Sequence, residues 1–143
     1  MICRFLPVFA VLALLSAPVQ AAGEIEIVAP VLRLPVLAGG NGAVFLTILN
    51  HGPADRLIGA SLPGTRATEL HTHQHDGGVM RMRPVQAIAI PAQGQAELRP
   101  GGDHIMAIGL SPAPAVGESV PLVLTFEHAG PLEIAVPARP ATE

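Results

Sequence analysis

The sequence predicts an all-β single domain of antiparallel strands, arranged as a sandwich or barrel. Three observations carry this. Strand-like runs recur at short intervals, with turn signals between most neighbours. No segment sustains an apolar repeat of 3.6 residues bounded by helix caps. The 15 glycines and 15 prolines are scattered rather than repeated, as a fold of many short strands and turns requires.

The elements follow in order. Residues 24–28, Glu24-Ile25-Glu26-Ile27-Val28, alternate charged and apolar side chains. Residues 42–49 are rich in β-formers and stop at Asn50-His51-Gly52-Pro53, a turn signal. Runs at 55–60 and 67–73 are separated by Leu62-Pro63-Gly64. Residues 85–90 alternate up to Pro91, and residues 95–98 stop before Pro100-Gly101-Gly102. Runs at 104–110, 120–127 and 132–136 complete the set. Residues 138–143 read as a short flexible tail, so the domain is expected over residues 22–137. There is no internal repeat, and a second domain has no room.

The first 21 residues read as a secretory signal peptide. Arg4 gives a positive start, residues 5–15 form an apolar run, and Val19 and Ala21 give a small-residue exit. The run is short for a membrane span, so cleavage after Ala21 is expected, with no membrane insertion afterwards. Cys3 stands too near the start to be a lipidated cysteine behind a full apolar region, so a lipoprotein is not expected. The remaining chain has no cysteine, and an exported protein without disulfides is held by packing alone. It carries seven arginines and no lysine against eleven acids, a net charge of −4. That balance argues against nucleic acid or an anionic membrane as partner.

The chemistry concentrates in residues 71–83, HTHQHDGGVMRMR. On an extended chain His71, His73 and His75 share one face, because strand side chains alternate. Met80 and Met82 obey the same rule, as do His104 and Met106. Gly77-Gly78 offers a turn that folds Met82 back beside His71. Thioether sulfur is a poor ligand for Mg, Ca or Zn and suits Cu(I), which accepts mixed imidazole and thioether ligands. Met and His also bind copper in an oxidising compartment without the disulfide hazard of cysteine. A single methionine in a sandwich is ordinarily core filler. Here every methionine after the first lies between positions 80 and 106, near a histidine. His51 and His128 sit in turns and are left out of the set.

The pattern His71, ten residues, Met82, twenty-one residues, His104-Ile105-Met106 resembles the signature of the periplasmic copper chaperones of the PCuAC family. Glu69-Leu70-His71, residues 78–85 (GVMRMRPV), residues 98–106 (LRPGGDHIM) and Leu122-Val123-Leu124-Thr125-Phe126 resemble it too, so the likeness covers nearly all of the chain after the leader. The resemblance implies a cupredoxin-like, Ig-like antiparallel Greek-key β-sandwich that binds Cu(I) through His71, Met82, His104 and Met106. It implies a periplasmic, non-catalytic monomer that supplies copper for the binuclear copper centre of cytochrome c oxidase. The implied partners are a copper-accepting membrane oxidase subunit and a thiol-containing copper chaperone. General copper storage or homeostasis is the alternative. The chain departs from the family in carrying His73 and His75 where a methionine is often found, and in lacking a His/Met-rich tail. His73 and His75 are therefore expected to add Cu(II) capacity near the main site. Met80 is read as a packing residue in preference to a peripheral donor. The ion is expected at one exposed end of the sandwich, on loops.

Other classes fit less well. A blue-copper electron carrier needs a cysteine thiolate, and none follows the leader. A zinc hydrolase built on His71-x-His73-x-His75 would leave the thioethers without purpose, since zinc prefers N, O and thiolate. A metal-independent β-sandwich binding module would leave the joint His/Met pattern incidental. No nucleophile or acid–base pair stands out, so no catalysis is expected.

Overall fold

The computed structural model describes residues 21–22 and 24–142. The leader read over residues 1–21 falls outside them but for its last residue, as does Cys3. Eleven strands and no helix make up the described chain: β1 (Ala21–Ala22), β2 (Ile25–Arg33), β3 (Gly42–Asn50), β4 (Asp55–Ser61), β5 (Ala67–Asp76), β6 (Val79–Val85), β7 (Ile88–Ile90), β8 (Gly94–Leu98), β9 (His104–Ile108), β10 (Ser119–Phe126) and β11 (Gly130–Arg139).

Two layers result. The first runs β6-β5-β9-β3-β2, with β8 also on β3 and β1 on β2; the second runs β11-β10-β4-β7. All pairings are antiparallel except the short contact of β11 with β2, where Ala138 meets Leu32 and Arg139 meets Arg33. That contact ties the layers along one side. The chain crosses between layers after β3, β4, β6, β7 and β9. These crossings set β9 between β5 and β3, which is what assembles the site.

Packing holds the sandwich together. β3 buries alternate positions, so Val44, Leu46 and Ile48 face inward. They meet Leu122, Leu124 and Phe126 of β10 and Ile134 and Val136 of β11 in one apolar cluster. Each such side chain contributes about 1.5–3 kcal/mol on burial. In β9, Ile105 and Ala107 are 0% exposed in this core. Period-two alternation therefore turns His104 and Met106 to the outer face of the first layer.

The structure differs from the sequence reading in four places. β2 continues past residue 28 to Arg33 across a register shift between Val28 and Val31, where Ala29 takes a left-handed φ of 51°. Residues 85–90 are not one strand: Val85 ends β6 and Ile88 starts β7. β6 is a separate strand, exposed along nearly its whole length and so without a buried face to announce it. The tail begins later than residue 138. Ala138 is fully buried, its N–H donates to Glu118 O, and Arg139 O accepts from Leu34 N. Ala138 takes the next inward position after Leu132, Ile134 and Val136, but carries only a methyl group.

Candidate metal centre

Three strands bring the expected donors to one patch. His71 on β5 lies directly opposite His104 on β9, with ring centroids 5.7 Å apart. Met106 stands two residues along β9 on the same face, opposite Glu69 of β5 on one side and Ala43 of β3 on the other. The tight Gly77-Gly78 turn pairs Asp76 with Val79, and this register puts Met82 opposite His73 rather than His71. Met82 is thus diagonal to His71, within reach of a long side chain across an antiparallel pair. His73 comes close to the group as well, its ring 5.4 Å from that of His104.

The site therefore sits on strands of the outer sheet face, not on loops at an end. Beside it lies an open pocket of about 430 Å³, lined by Phe45, His73, Met82, Gly101, His104 and Met106 among others. Phe45 tilts against the His104 ring at 6.2 Å and gives that ring an apolar wall.

Hydrogen bonds fix which ring nitrogens are free. Gly102 O lies 2.9 Å from His73 Nδ1 and 3.1 Å from His104 Nδ1. A carbonyl can only accept, so both rings donate from Nδ1, and in the neutral ring the lone pair then lies on Nε2. His71 has the opposite arrangement. Its Nε2–H donates to Glu69 Oε2 at 2.8 Å, and its Nδ1 is buried with no hydrogen-bond partner. A buried polar nitrogen without a partner is costly, and a metal ion is a partner that imidazole accepts. The carboxylate–imidazole pair is the usual support of a metal-bound histidine. Thr72 Oγ1 donates to Asp103 Oδ1 at 2.6 Å, locking β5 to the turn that delivers His104.

His104 is 3% exposed. Burial pushes its pKa below the ordinary 6.5, and the neighbouring His73 and His71 act in the same direction, against the Gly102 carbonyl and Asp103. The neutral imidazole a metal needs is thus the favoured form. Among the described residues, no three His, Cys, Asp or Glu side chains form a metal-holding group.

His75 lies opposite Met80 near the hairpin tip, and both are exposed. Met80 is 50% exposed, which corrects its reading as a packing residue: no core lies under that part of β6. Glu69, Phe45 and Gly102 were not picked out from the sequence. Glu69 was within reach, since it stands two residues before His71 on the same strand face. Replacing Glu69 by alanine is expected to weaken metal binding about tenfold, as loss of an outer support typically does. Competitive titration checks this, and an unchanged affinity would remove Glu69 from the site.

The family model described as "Putative lipoprotein LpqE-like" matches residues 25–138. The curated protein "Putative lipoprotein Lxx21020" from Leifsonia xyli subsp. xyli is 29% identical over 129 residues, covering 87% of this chain and 78% of that one. Among solved structures, the copper-bound PCuAC domain from PmoF2 is 26% identical with a TM-score of 0.72, covering 87% of this chain and 99% of that domain. The Cu(I) form of DR1885 from Deinococcus radiodurans is also 26% identical, with a TM-score of 0.64, covering 87% of this chain and 86% of that one. Matched over almost every described residue, with a sandwich that superposes on these domains, the chain belongs to the LpqE-like family and is a protein of the PCuAC type.

Proposed function

We propose that this protein is an exported copper carrier that holds Cu(I) through His71, Met82, His104 and Met106 and passes it to a partner. The observation that carries the reading is the His71–His104 cross-strand pair. One ring offers a buried, unpartnered Nδ1 and the other a free Nε2, with Met106 beside them and Met82 on the diagonal. Two imidazoles and two thioethers form a soft, neutral set that suits Cu(I) above harder ions. The likeness to a copper-bound PCuAC domain supports the same cargo.

Delivery follows from the location. Met82 is 52% exposed and the pocket opens outward, so an acceptor's ligands can replace those of the carrier one at a time. The acceptor we favour is a membrane oxidase subunit or a thiol-containing copper chaperone, in assembly of the binuclear copper centre of cytochrome c oxidase. Storage of copper is the second reading, and the exposure of Met82 speaks against it. The relatives are named as lipoproteins, and the apolar leader of this chain fits an exported envelope protein. We place it in the periplasm. The carrier has no catalytic role in this proposal.

Anaerobic titration with Cu(I) against bicinchoninate tests the reading. One tightly held ion per chain is expected, and a stoichiometry well below one overturns it. His73 and His75 bear on Cu(II). His75 sits away from the imidazole pair, so the His73→Ala/His75→Ala variant is expected to lose Cu(II) mainly through His73. Cu(II) uptake equal to wild type, followed by electron paramagnetic resonance, would exclude both as auxiliary ligands.

A further inference from the structure

Resting on the copper reading above, we propose that His73 is an exchange ligand: it takes the ion over from His71 while His104 keeps hold, and so carries Cu(I) from a sheltered position to the mouth of the pocket.

Three observations carry this. The His104 ring lies at nearly equal distances from two other imidazoles, 5.7 Å from His71 and 5.4 Å from His73. The Gly102 carbonyl takes the Nδ1–H of both His73 and His104, so the Nε2 lone pairs of both rings are free together. The surroundings of the two candidates then differ. The His71 side chain is 13% exposed and tied to Glu69. His73 lines the open pocket with Met82, its cross-strand partner, and with His104 and Met106.

The ion thus has two overlapping sets of neighbours that share His104, Met82 and Met106 and differ in the second imidazole. With His71 it rests against the outer sheet face beside a ring that is 13% exposed. With His73 it lies where solvent and an acceptor reach it. Moving between them breaks one copper–imidazole bond as another forms. In the neutral Nδ1–H tautomer His73 Nε2 carries a lone pair, so the exchange itself moves no proton, and no redox partner is required. Imidazole replaces imidazole, so the ion keeps the same kind of donor throughout and is never left bare.

The metal-free protein supplies the first test. Long-range proton–nitrogen NMR is expected to show His73 and His104 as Nδ1–H tautomers and His71 as the Nε2–H tautomer. His73 in the Nε2–H form overturns the proposal. The second test loads wild type, His73→Ala and His73→Asn with one Cu(I) and follows its removal by excess bicinchoninate. Equilibrium affinity is expected to stay within about threefold of wild type in both variants, while removal slows by about fivefold or more, since the loss falls on the exit route. Asparagine retains an N–H that can reach Gly102 but offers no imidazole. If asparagine restores the wild-type rate, the hydrogen bond matters and the coordination does not, which overturns the assignment. So does an unchanged or faster rate in both variants, or a collapse of affinity in His73→Ala, which would make His73 a principal ligand. Wild type that takes up no Cu(I) at all defeats the copper reading itself, and the titration above identifies that failure separately.

Discussion

Replacing Met82 and Met106 together by alanine is expected to weaken Cu(I) binding about a thousandfold, with the fold retained. Loss of a single outer support typically costs 10–100-fold, and here two donors go. Both sulfurs belong to the outer face: Met82 is 52% exposed, and Met106 alternates with the buried Ile105 and Ala107. Removing them opens no cavity in the core, so the thermal transition of the metal-free protein is expected to move little. The measurement is a competitive Cu(I) titration paired with thermal unfolding of both metal-free proteins. Affinity within tenfold of wild type would show that the thioethers are not ligands and leave the imidazoles to explain the site alone. The paired melting curve matters, because a variant that binds poorly through misfolding would shift it.

The second large effect lies at the opposite end of β3. Asp55 is 7% exposed and accepts three backbone N–H groups: Arg56 at 2.8 Å, His128 at 2.9 Å and Ala129 at 3.0 Å. The latter two belong to the turn between β10 and β11, so one carboxylate anchors that hairpin to the start of β4. Burial alone would push its pKa up, but the amide donors and nearby His128 together hold it below the ordinary 3.8. Asp55→Ala leaves those amides without their acceptor. At 1.5–3 kcal/mol for a hydrogen bond to a charged group, and with water able to reach part of the turn, the expected loss is about 3 kcal/mol. In a chain of this size that lowers Tm by roughly 10 °C.

The same group sets an acid dependence. A carboxylate with a depressed folded-state pKa stabilises the fold at pH above its unfolded value near 3.8. That contribution falls away as pH drops through the lower folded-state value. Denaturant unfolding from neutral pH down to strong acid is expected to show wild type losing this increment and Asp55→Ala lacking it. Parallel curves for the two proteins would show that Asp55 is not the group responsible.

Most of the sandwich was legible because burial writes a period of two into the chain. Residues 42–49 announce β3 with Val44, Leu46 and Ile48 inward. Where no layer lies beneath a strand the code is absent, and β6 was indicated only by the Gly77-Gly78 turn and the alternation of Met80 and Met82. The extension of β11 was hidden by size, since Ala138 holds an inward position without a bulky side chain. At the site, residue type and alternation singled out the histidines and methionines of residues 71–82 and 104–106, the family resemblance narrowed them to His71, Met82, His104 and Met106, and the structure places these four on β5, β6 and β9. The pairing of Met82 with His73 was within reach, because a two-residue turn at Gly77-Gly78 dictates every partner along the hairpin. The part played by Gly102 was not legible. It acts through its carbonyl, and a backbone acceptor leaves no mark on residue identity.

β9 has a consequence for the carrier role proposed above. Its odd-numbered residues Ile105 and Ala107 hold the two layers together, while its even-numbered His104 and Met106 face away. The scaffold is therefore complete before any cargo arrives. Zinc fingers collapse when stripped because their metal is also their core. In the role proposed above, an unloaded chain built this way keeps its shape and presents a ready-made cradle to the next ion.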